Sequence, residues 1–333
     1  MSTRTIALLH PGEMGSAIGA CLVARGLRVV WASAGRSPPT SARAQAAGFW
    51  DLGTLDRALG GADVVLSVCP PHGALALARD VARRGFRGIY VDANAVSPET
   101  ARNVARAVEK AGASFVDGGI IGPPPVEGGR TRMYLSGGPA REIAALFAGG
   151  KLEAIPIEAR AGAASALKAC YAGWTKGATA LLTAIRALAE HEGVEAALLA
   201  EWKLSQPDLE KRSEVVTVQA RKAWRWIGEM EEIAASFEAA GLPGGFHLAA
   251  AELYRRLEAF KDGAKPPALT EITAAIRRAA PRRKTSADDG RRRTSKQRED
   301  EPSGARFKFG TAALKRDAAK RDAAKRLRSL KRD

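Results

Sequence analysis

Two places in the chain combine residue types and spacing that can do chemistry. The first is the turn His10-Pro11-Gly12-Glu13-Met14-Gly15, which follows the apolar run Thr5-Ile6-Ala7-Leu8-Leu9 and precedes a helical stretch from Ser16 to Arg25. A dinucleotide site needs this context. One glycine lets the backbone approach a pyrophosphate, another lets the helix pack on the sheet, and the helix N-terminus offers free N–H groups to the phosphates. Gly12 and Gly15 hold the second and third positions of the G-x-G-x-x-G pattern, Glu13 and Met14 lie between them, and His10 stands at the first. The bland alternative is a structural glycine turn. The second place is Lys168, alone in the apolar stretch Ser165-Ala166-Leu167-Lys168-Ala169-Cys170-Tyr171. A lysine on such a face commonly snorkels to the surface. Tyr171 and Thr175 follow it by three and seven residues, so they share its helical face and can hydrogen-bond the same substrate.

The next strand, Leu27 to Trp31, leads into Ala32-Ser33-Ala34-Gly35-Arg36-Ser37. Enzymes that use NAD place an Asp or Glu here for the ribose hydroxyls. This loop has none, and Ser33, Arg36 and Ser37 offer donors suited to a 2′-phosphate. The expected cofactor is therefore NADP rather than NAD. A solvated surface loop is the other reading.

The elements that must position these residues follow from patterning. Strand-like runs at 63–68, 88–92 and 114–117 alternate with helical stretches. Ser97-Pro98-Glu99 starts one helix with a Ser cap, a Pro in the first turn and an acid near the positive end of the dipole. Near-continuous apolar strands separated by helices predict a doubly wound parallel sheet covered on both faces, an α/β Rossmann domain over 1–157. From Ala161 the texture changes to long helical patterns, at 161–192, 214–240 and 246–261, with a break at Gly241-Leu242-Pro243-Gly244-Gly245. An all-helical domain is expected over 158–262, with 269–280 as a further candidate helix. Residues 263–333 read as a linker and a basic low-complexity tail.

Composition excludes several classes. No apolar run reaches the roughly 18 residues of a membrane helix. Three cysteines, far apart, fit a reducing cytoplasm and exclude a disulfide scaffold; neither they nor the four histidines have metal-ligand spacing, so no metal is expected. The net charge of +16 suggests nucleic acid until it is divided. Residues 281–333 hold 19 Lys/Arg against 8 Asp/Glu, whereas residues 1–280 hold 33 against 28. The tail is the basic part, and weak non-specific polyanion binding is its expected property.

Several segments resemble the β-hydroxyacid and 6-phosphogluconate dehydrogenase superfamily. They are Gly12-Glu13-Met14-Gly15, Val68-Cys69-Pro70-Pro71, Asp92 to Pro98, and Val116-Asp117-Gly118-Gly119-Ile120-Ile121-Gly122-Pro123-Pro124. Arg225 to Ile233 is similar to a C-terminal helical domain of unknown function found in phosphogluconate-dehydrogenase-like proteins. The resemblance implies that Cys69 and Pro70 flank the cofactor, that Asn94 sits near the nicotinamide, that Asp117, Gly118, Gly119 and Gly122 line a substrate pocket, and that Lys168 is the catalytic lysine. Gly118 and Gly119 could also present N–H groups to a carboxylate. Two departures stand out: Ile121-Gly122-Pro123 replaces the family's Ser-Gly-Gly, and Ala172 replaces the Asn one turn after the lysine. The implied activity is NADP(H)-dependent hydride transfer to or from a small hydroxy acid or related carbonyl, in a homodimer paired through the helical domain. Imine reduction is the nearest alternative, and a nucleic-acid-binding protein acting through its tail is the rival from another class. Trp224, Trp226 and Met230 are expected in the core, and Glu229 and Glu232 in helix ion pairs.

Overall fold

Eight strands form a single sheet: β1 Thr5–Leu9, β2 Arg28–Trp31, β3 Trp50–Asp51, β4 Val64–Ser67, β5 Ile89–Asp92, β6 Ser114–Ile121, β7 Thr131–Ser136 and β8 Leu152–Pro156. The structure, a computed structural model, describes residues 4–278. Strand order is β3-β2-β1-β4-β5-β6-β7-β8. The order reverses between β1 and β4, which opens a crevice at their carboxyl ends, where doubly wound sheets bind ligands. Helices α1 Glu13–Ala24, α2 Pro38–Ala46, α3 Leu55–Leu59, α4 Ala74–Arg83, α5 Pro98–Glu109 and α6 Ala140–Ala145 connect the strands. The strands are apolar on both faces because both are covered. Ile6, Leu8, Val29 and Val116 build one core with Ile18 and Leu22 of α1. Ala7, Val30, Val65 and Tyr90 build the other with Val81 of α4 and Val104 of α5.

Two strands depart from the expected parallel sheet: β7 and β8 run parallel to each other and opposite to the other six. β6 pairs antiparallel with β7, Gly119 facing Tyr134. The chain crosses no helix between them, only the loop 122–130, and a connection without a crossover element returns the chain antiparallel. Gly122 closes this loop at φ +120, and its carbonyl neighbour Arg130 leaves no room for a Cβ. The β6 strand also runs to Ile121, beyond the expected end at Asp117.

The helical part holds α7 Ala163–His191, α8 Glu195–Ser205, α9 Leu209–Gln219, α10 Trp226–Ala239, α11 Gly245–Arg256 and α12 Leu269–Arg277. Its core joins Ala172 and Ala187 of α7 to Met230 and Ile233 of α10 and Tyr254 of α11. The expected continuous helix at 214–240 is broken by a 3₁₀ segment, Ala220–Arg225. At three residues per turn, Lys222 and Arg225 fall on one side, and both reach Glu13 at the start of α1, at 2.8 and 2.9 Å. No helix among the described residues is long and apolar enough to cross a membrane. The basic tail lies outside the described residues.

Candidate functional site

The cofactor turn has the geometry its residues suggest, with one substitution. Gly12 caps α1 in extended conformation and its N–H bonds the His10 carbonyl at 2.7 Å. A Cβ on Gly12 would meet nothing within 4 Å, so this glycine serves no packing need of the protein and leaves its outer face open. Gly15 is constrained: a Cβ there would lie 2.7 Å from the His10 carbonyl oxygen and 3.4 Å from Val68. This is the close helix–sheet approach expected of the third glycine. His10, in the first position, takes φ +66, a conformation that favours glycine. Sequence reasoning noted the substitution without giving the ring a place. The imidazole lines the crevice, its buried Nδ1 has no partner among the described residues, and burial, with Arg36 nearby, lowers its pKa to about 4. It is neutral near pH 7.

Glu13 corrects an expectation. Its carboxylate is held by Lys222 and Arg225, whose hydrogen bonds and charges lower its pKa. Only its backbone remains for a phosphate, and the local charge is net positive. Met14 is partly buried against the core.

A cavity of about 350 Å³ lies beside the turn, lined by His10, Ala32, Ala34, Arg36, Leu55 and Leu77 among others. Arg36 has no carboxylate partner among the described residues. Ser37 is exposed and its hydroxyl meets that of Thr40 at 3.0 Å. Ser33 lies beside a carboxylate that the loop itself lacks, Asp51 at the end of β3. Burial works against that charge, but hydrogen bonds from Ser33 and the Gly53 N–H hold the Asp51 carboxyl below its usual range. The acid was missed because it belongs to a neighbouring strand.

Beyond β4 and β5 the loops are braced on each other. The Asn94 side chain accepts the Cys69 N–H at 2.5 Å and donates to Ser67 Oγ at 3.0 Å. It is buried and braces the two loops on each other. Pro70 is exposed at the tip of the braced loop. Burial and the Asp92 charge push the Cys69 thiol up to about 12, so it is no nucleophile at neutral pH. Asp92 is fully buried and burial pushes its carboxyl up to about 7; one oxygen accepts the Asn94 N–H, and the other has no partner among the described residues.

Asp117 is the clearest correction. It is buried, and its oxygens accept Ser165 Oγ at 2.6 Å, Ser165 N at 2.9 Å, Gly162 N at 3.0 Å and Ser136 Oγ at 3.1 Å. It anchors the N-terminus of α7 to β6, where the helix dipole favours a negative charge, and it is shut off from solvent there. Gly118 and Gly119 are buried in β6, opposite Leu135 and Tyr134 of β7. A Cβ on Gly119 would lie 2.6 Å from the Ala164 carbonyl, so the glycine lets α7 press against the strand. Gly122 is exposed at the loop that follows.

That contact delivers Lys168. Its ammonium donates to the Ile120 carbonyl at 2.7 Å, lies 3.5 Å from Glu229 of α10, and borders a small crevice with Ala95 and Val96, the residues after Asn94. It is not a snorkelling surface lysine. Tyr171 is exposed and Thr175 bonds the Tyr171 carbonyl at 3.1 Å, so neither is brought to the Lys168 ammonium. Met230 is in the core as expected. Glu229 and Glu232 form no pair along their own helix. Glu229 is buried with Lys168 and Lys176, and Glu232 accepts Ser97 N at 2.7 Å and Thr100 Oγ1 at 3.1 Å at the start of α5.

The same fold occurs in solved structures. The conserved protein MTH1747, described as structurally similar to 3-hydroxyacid dehydrogenases, is 28% identical, with 77% of this chain and 97% of that chain covered at a TM-score of 0.59. This chain has the 3-hydroxyacid dehydrogenase fold. A 3-hydroxyisobutyrate dehydrogenase from Mycobacterium tuberculosis, solved with L-serine, shares that fold at 19% identity, covering 83% of this chain and all of its own (TM-score 0.59). A reductive aminase from Aspergillus terreus, solved with NADPH4, cyclohexanone and allyl amine, shares it at 16% identity with the same coverage (TM-score 0.51). Residues 189–257 match the DUF1932 family, a domain of unknown function, which bears out the resemblance read from Arg225 to Ile233. No curated protein sequence matches the chain.

Proposed function

We propose that the chain is an oxidoreductase that binds NADP(H) in the crevice beside Gly12 and moves hydride between the nicotinamide and a small hydroxy acid or related carbonyl. The observation that carries the reading is the pairing of an open glycine turn at the β1/β4 switch point with a partly buried lysine held beside the Asn94 loop. The fold of dehydrogenases and a reductase supports it at the level of architecture. The residues fit a dinucleotide: Gly12 leaves room for the pyrophosphate, the N-terminus of α1 supplies donors, and the Arg36 guanidinium at the crevice edge suits a 2′-phosphate.

When bound, the nicotinamide would supply or accept the hydride. Lys168 would hold the proton that accompanies it, taking it from a hydroxyl when neutral and giving it to a developing alkoxide when charged. Asn94 would act through the Cys69-Pro70 loop, keeping that wall of the crevice fixed. The apolar Ile121-Gly122-Pro123 offers no hydroxyl to grip a carboxylate, which favours reduction of a C=N bond as the second reading. Oxidation of NADPH against a panel of hydroxy acids, carbonyls and preformed imines, with NADH in parallel, tests both. No turnover on any of them with intact protein would refute the enzyme reading.

We further propose that the chain forms a homodimer through α7. Tyr171, Trp174, Leu181 and Leu188 are exposed on that helix, and Ala178 and Ile185 are partly so. These six follow the 3-4 spacing of a heptad seam, which a second copy can match with the same seam. At its far end the seam runs into an apolar groove of about 440 Å³ lined by Leu188, Leu253 and Ile276.

A further inference from the structure

Behind Lys168 lies a buried charge cluster that the proposed reaction does not use. Glu229 of α10 points between two lysines of α7. Lys176 is ion-paired to Oε2, and Lys168 lies 3.5 Å from Oε1. All three side chains are at most 18% exposed. The Lys176 ammonium also sits 5.4 Å from the centre of the Trp226 ring, which packs near-perpendicular to the Tyr254 ring with their centres 5.0 Å apart. Tyr254 in turn donates to the Lys176 carbonyl at 2.6 Å, so the second lysine is fixed on every side.

We propose that Glu229 and Lys176 are positioning residues that set the protonation of Lys168, Glu229 as a shared counter-ion and Lys176 as its competitor. The proposal rests on the reading of Lys168 as the proton-transfer group. Two ammonium groups and one carboxylate leave a net charge of +1 where burial disfavours any. The carboxylate is the group that stays ionised: burial opposes its charge, but the two lysines hold its pKa below the usual range. Relief must come from a lysine giving up a proton. Burial, with Lys168 adding to it, lowers Lys176 to about 8 despite the Glu229 charge. A group that can be neutral near physiological pH therefore shares its carboxylate with the lysine beside the crevice.

The other charged and titratable neighbours do not compete for this role. β6 offers Lys168 only the Ile120 carbonyl. From α10, Glu232 is committed to the start of α5. From α11, burial pushes Tyr254 well above neutrality and lowers His247. Asp117 is held by four hydrogen bonds at the α7 N-terminus, and Arg102 of α5 lies beside Gly162 at that same end.

Two substitutions should move Lys168 the same way for different reasons. Glu229→Gln leaves two ammonium groups facing each other without their counter-ion, so Lys168 should lose its proton at lower pH. Lys176→Arg keeps a competing cation beside Glu229 at alkaline pH, where Lys176 itself has given up its proton, so Lys168 should again lose its proton at lower pH. Lys176→Met removes a group already neutral there and should leave Lys168 within the scatter. Downward shifts of about one pH unit are expected for partly buried charges at this range. Competitive labelling of the full chain with trace acetic anhydride between pH 6 and 11 reads each lysine separately by peptide mass spectrometry, without any substrate. Downward shifts at Lys168 in Glu229→Gln and Lys176→Arg, with none in Lys176→Met, support the proposal. An upward shift in Lys176→Arg, or none above the scatter, overturns it. Should Glu229→Gln fail to fold by circular dichroism, the Lys176→Arg shift alone decides. Turnover of Lys168→Met separates the two layers. If it matches wild type while labelling shifts as expected, the lysine chemistry fails and the cluster stands. If it collapses while labelling is unmoved, the reverse holds.

Discussion

Asp92 should make the folded chain less stable as pH rises from about 4 to about 7. Burial raises its carboxyl from an ordinary 3.8 to about 7 in the folded state. A raised acid binds its proton more tightly when folded, so its stabilising contribution is fully present below pH 3.8 and is lost as pH climbs through about 7. Each pH unit in that window costs about 1.4 kcal/mol, so the interval from pH 5 to pH 8 costs roughly 2–3 kcal/mol. For a unit of this size that is a fall of roughly 4–10 °C in Tm. His10 works in the opposite sense, since its folded pKa is lowered to about 4 and its contribution grows with pH up to about 6.5. The wild-type profile therefore mixes the two. Asp92→Asn isolates one of them: the amide oxygen can still accept the Asn94 N–H, which the carboxylate accepts at 3.0 Å, and the amide does not titrate. The difference in stability between variant and wild type should rise with pH by about 2–3 kcal/mol between pH 5 and 8. Denaturant or thermal melts across that range measure it. Parallel profiles for the two proteins would refute the assignment of a raised Asp92.

Arg36→Ala should weaken NADPH binding by roughly ten- to a hundredfold, the worth of a charge-assisted hydrogen bond, and leave NADH within a few-fold; equal wild-type affinities for the two cofactors would sink the 2′-phosphate reading. Lys168→Met should keep cofactor affinity within a few-fold while turnover drops about 10²–10⁴-fold, checked once a substrate from the panel is in hand. Leu181→Glu should convert a dimer to a monomer in light scattering at micromolar protein, by burying an unpaired charge in the seam; an unchanged mass would remove α7 as the interface. Truncation after Ala280 should abolish salt-sensitive retention on a polyanion column and leave turnover intact, since the tail holds most of the net charge and no pocket pattern.

Much of the sheet was legible because its strands are apolar on both faces and its turns carry glycine and proline. The start of α5 was read residue by residue from Ser97-Pro98-Glu99, and Ser97 does cap it, accepting the Thr100 N–H. The short β3 was not legible, since both its residues are exposed and it pairs over two positions only. With β3 went Asp51, which no reading of the β2 loop could supply. The 3₁₀ break at 220–225 was hidden because alanines and basic residues suit a continuing helix; only the distant Glu13 explains it. Asp117 and Asn94 were found as important positions and assigned outward-facing roles. Their polar side chains read as ligand contacts in sequence, whereas in the fold they bond three-dimensional neighbours. Glu229 was read along its own helix, and its partners come from another.

The anchoring of the first turn of α7 to β6 makes that end a pivot for the helical part as a whole, since α10 and α11 pack along α7 into one core. Asp117 and Gly119 fix that turn, and Lys168 follows the first helical residue, Ala163, by only five positions. At 1.5 Å per residue, Lys168 sits about 8 Å from the pivot and Leu188 about 38 Å. A tilt of the helical part by about 5° would carry Leu188 through roughly 3 Å and Lys168 through less than about 1 Å. Substitutions or partner exchange at the distal end can thus be absorbed as swing, while the ammonium group stays where β6 holds it.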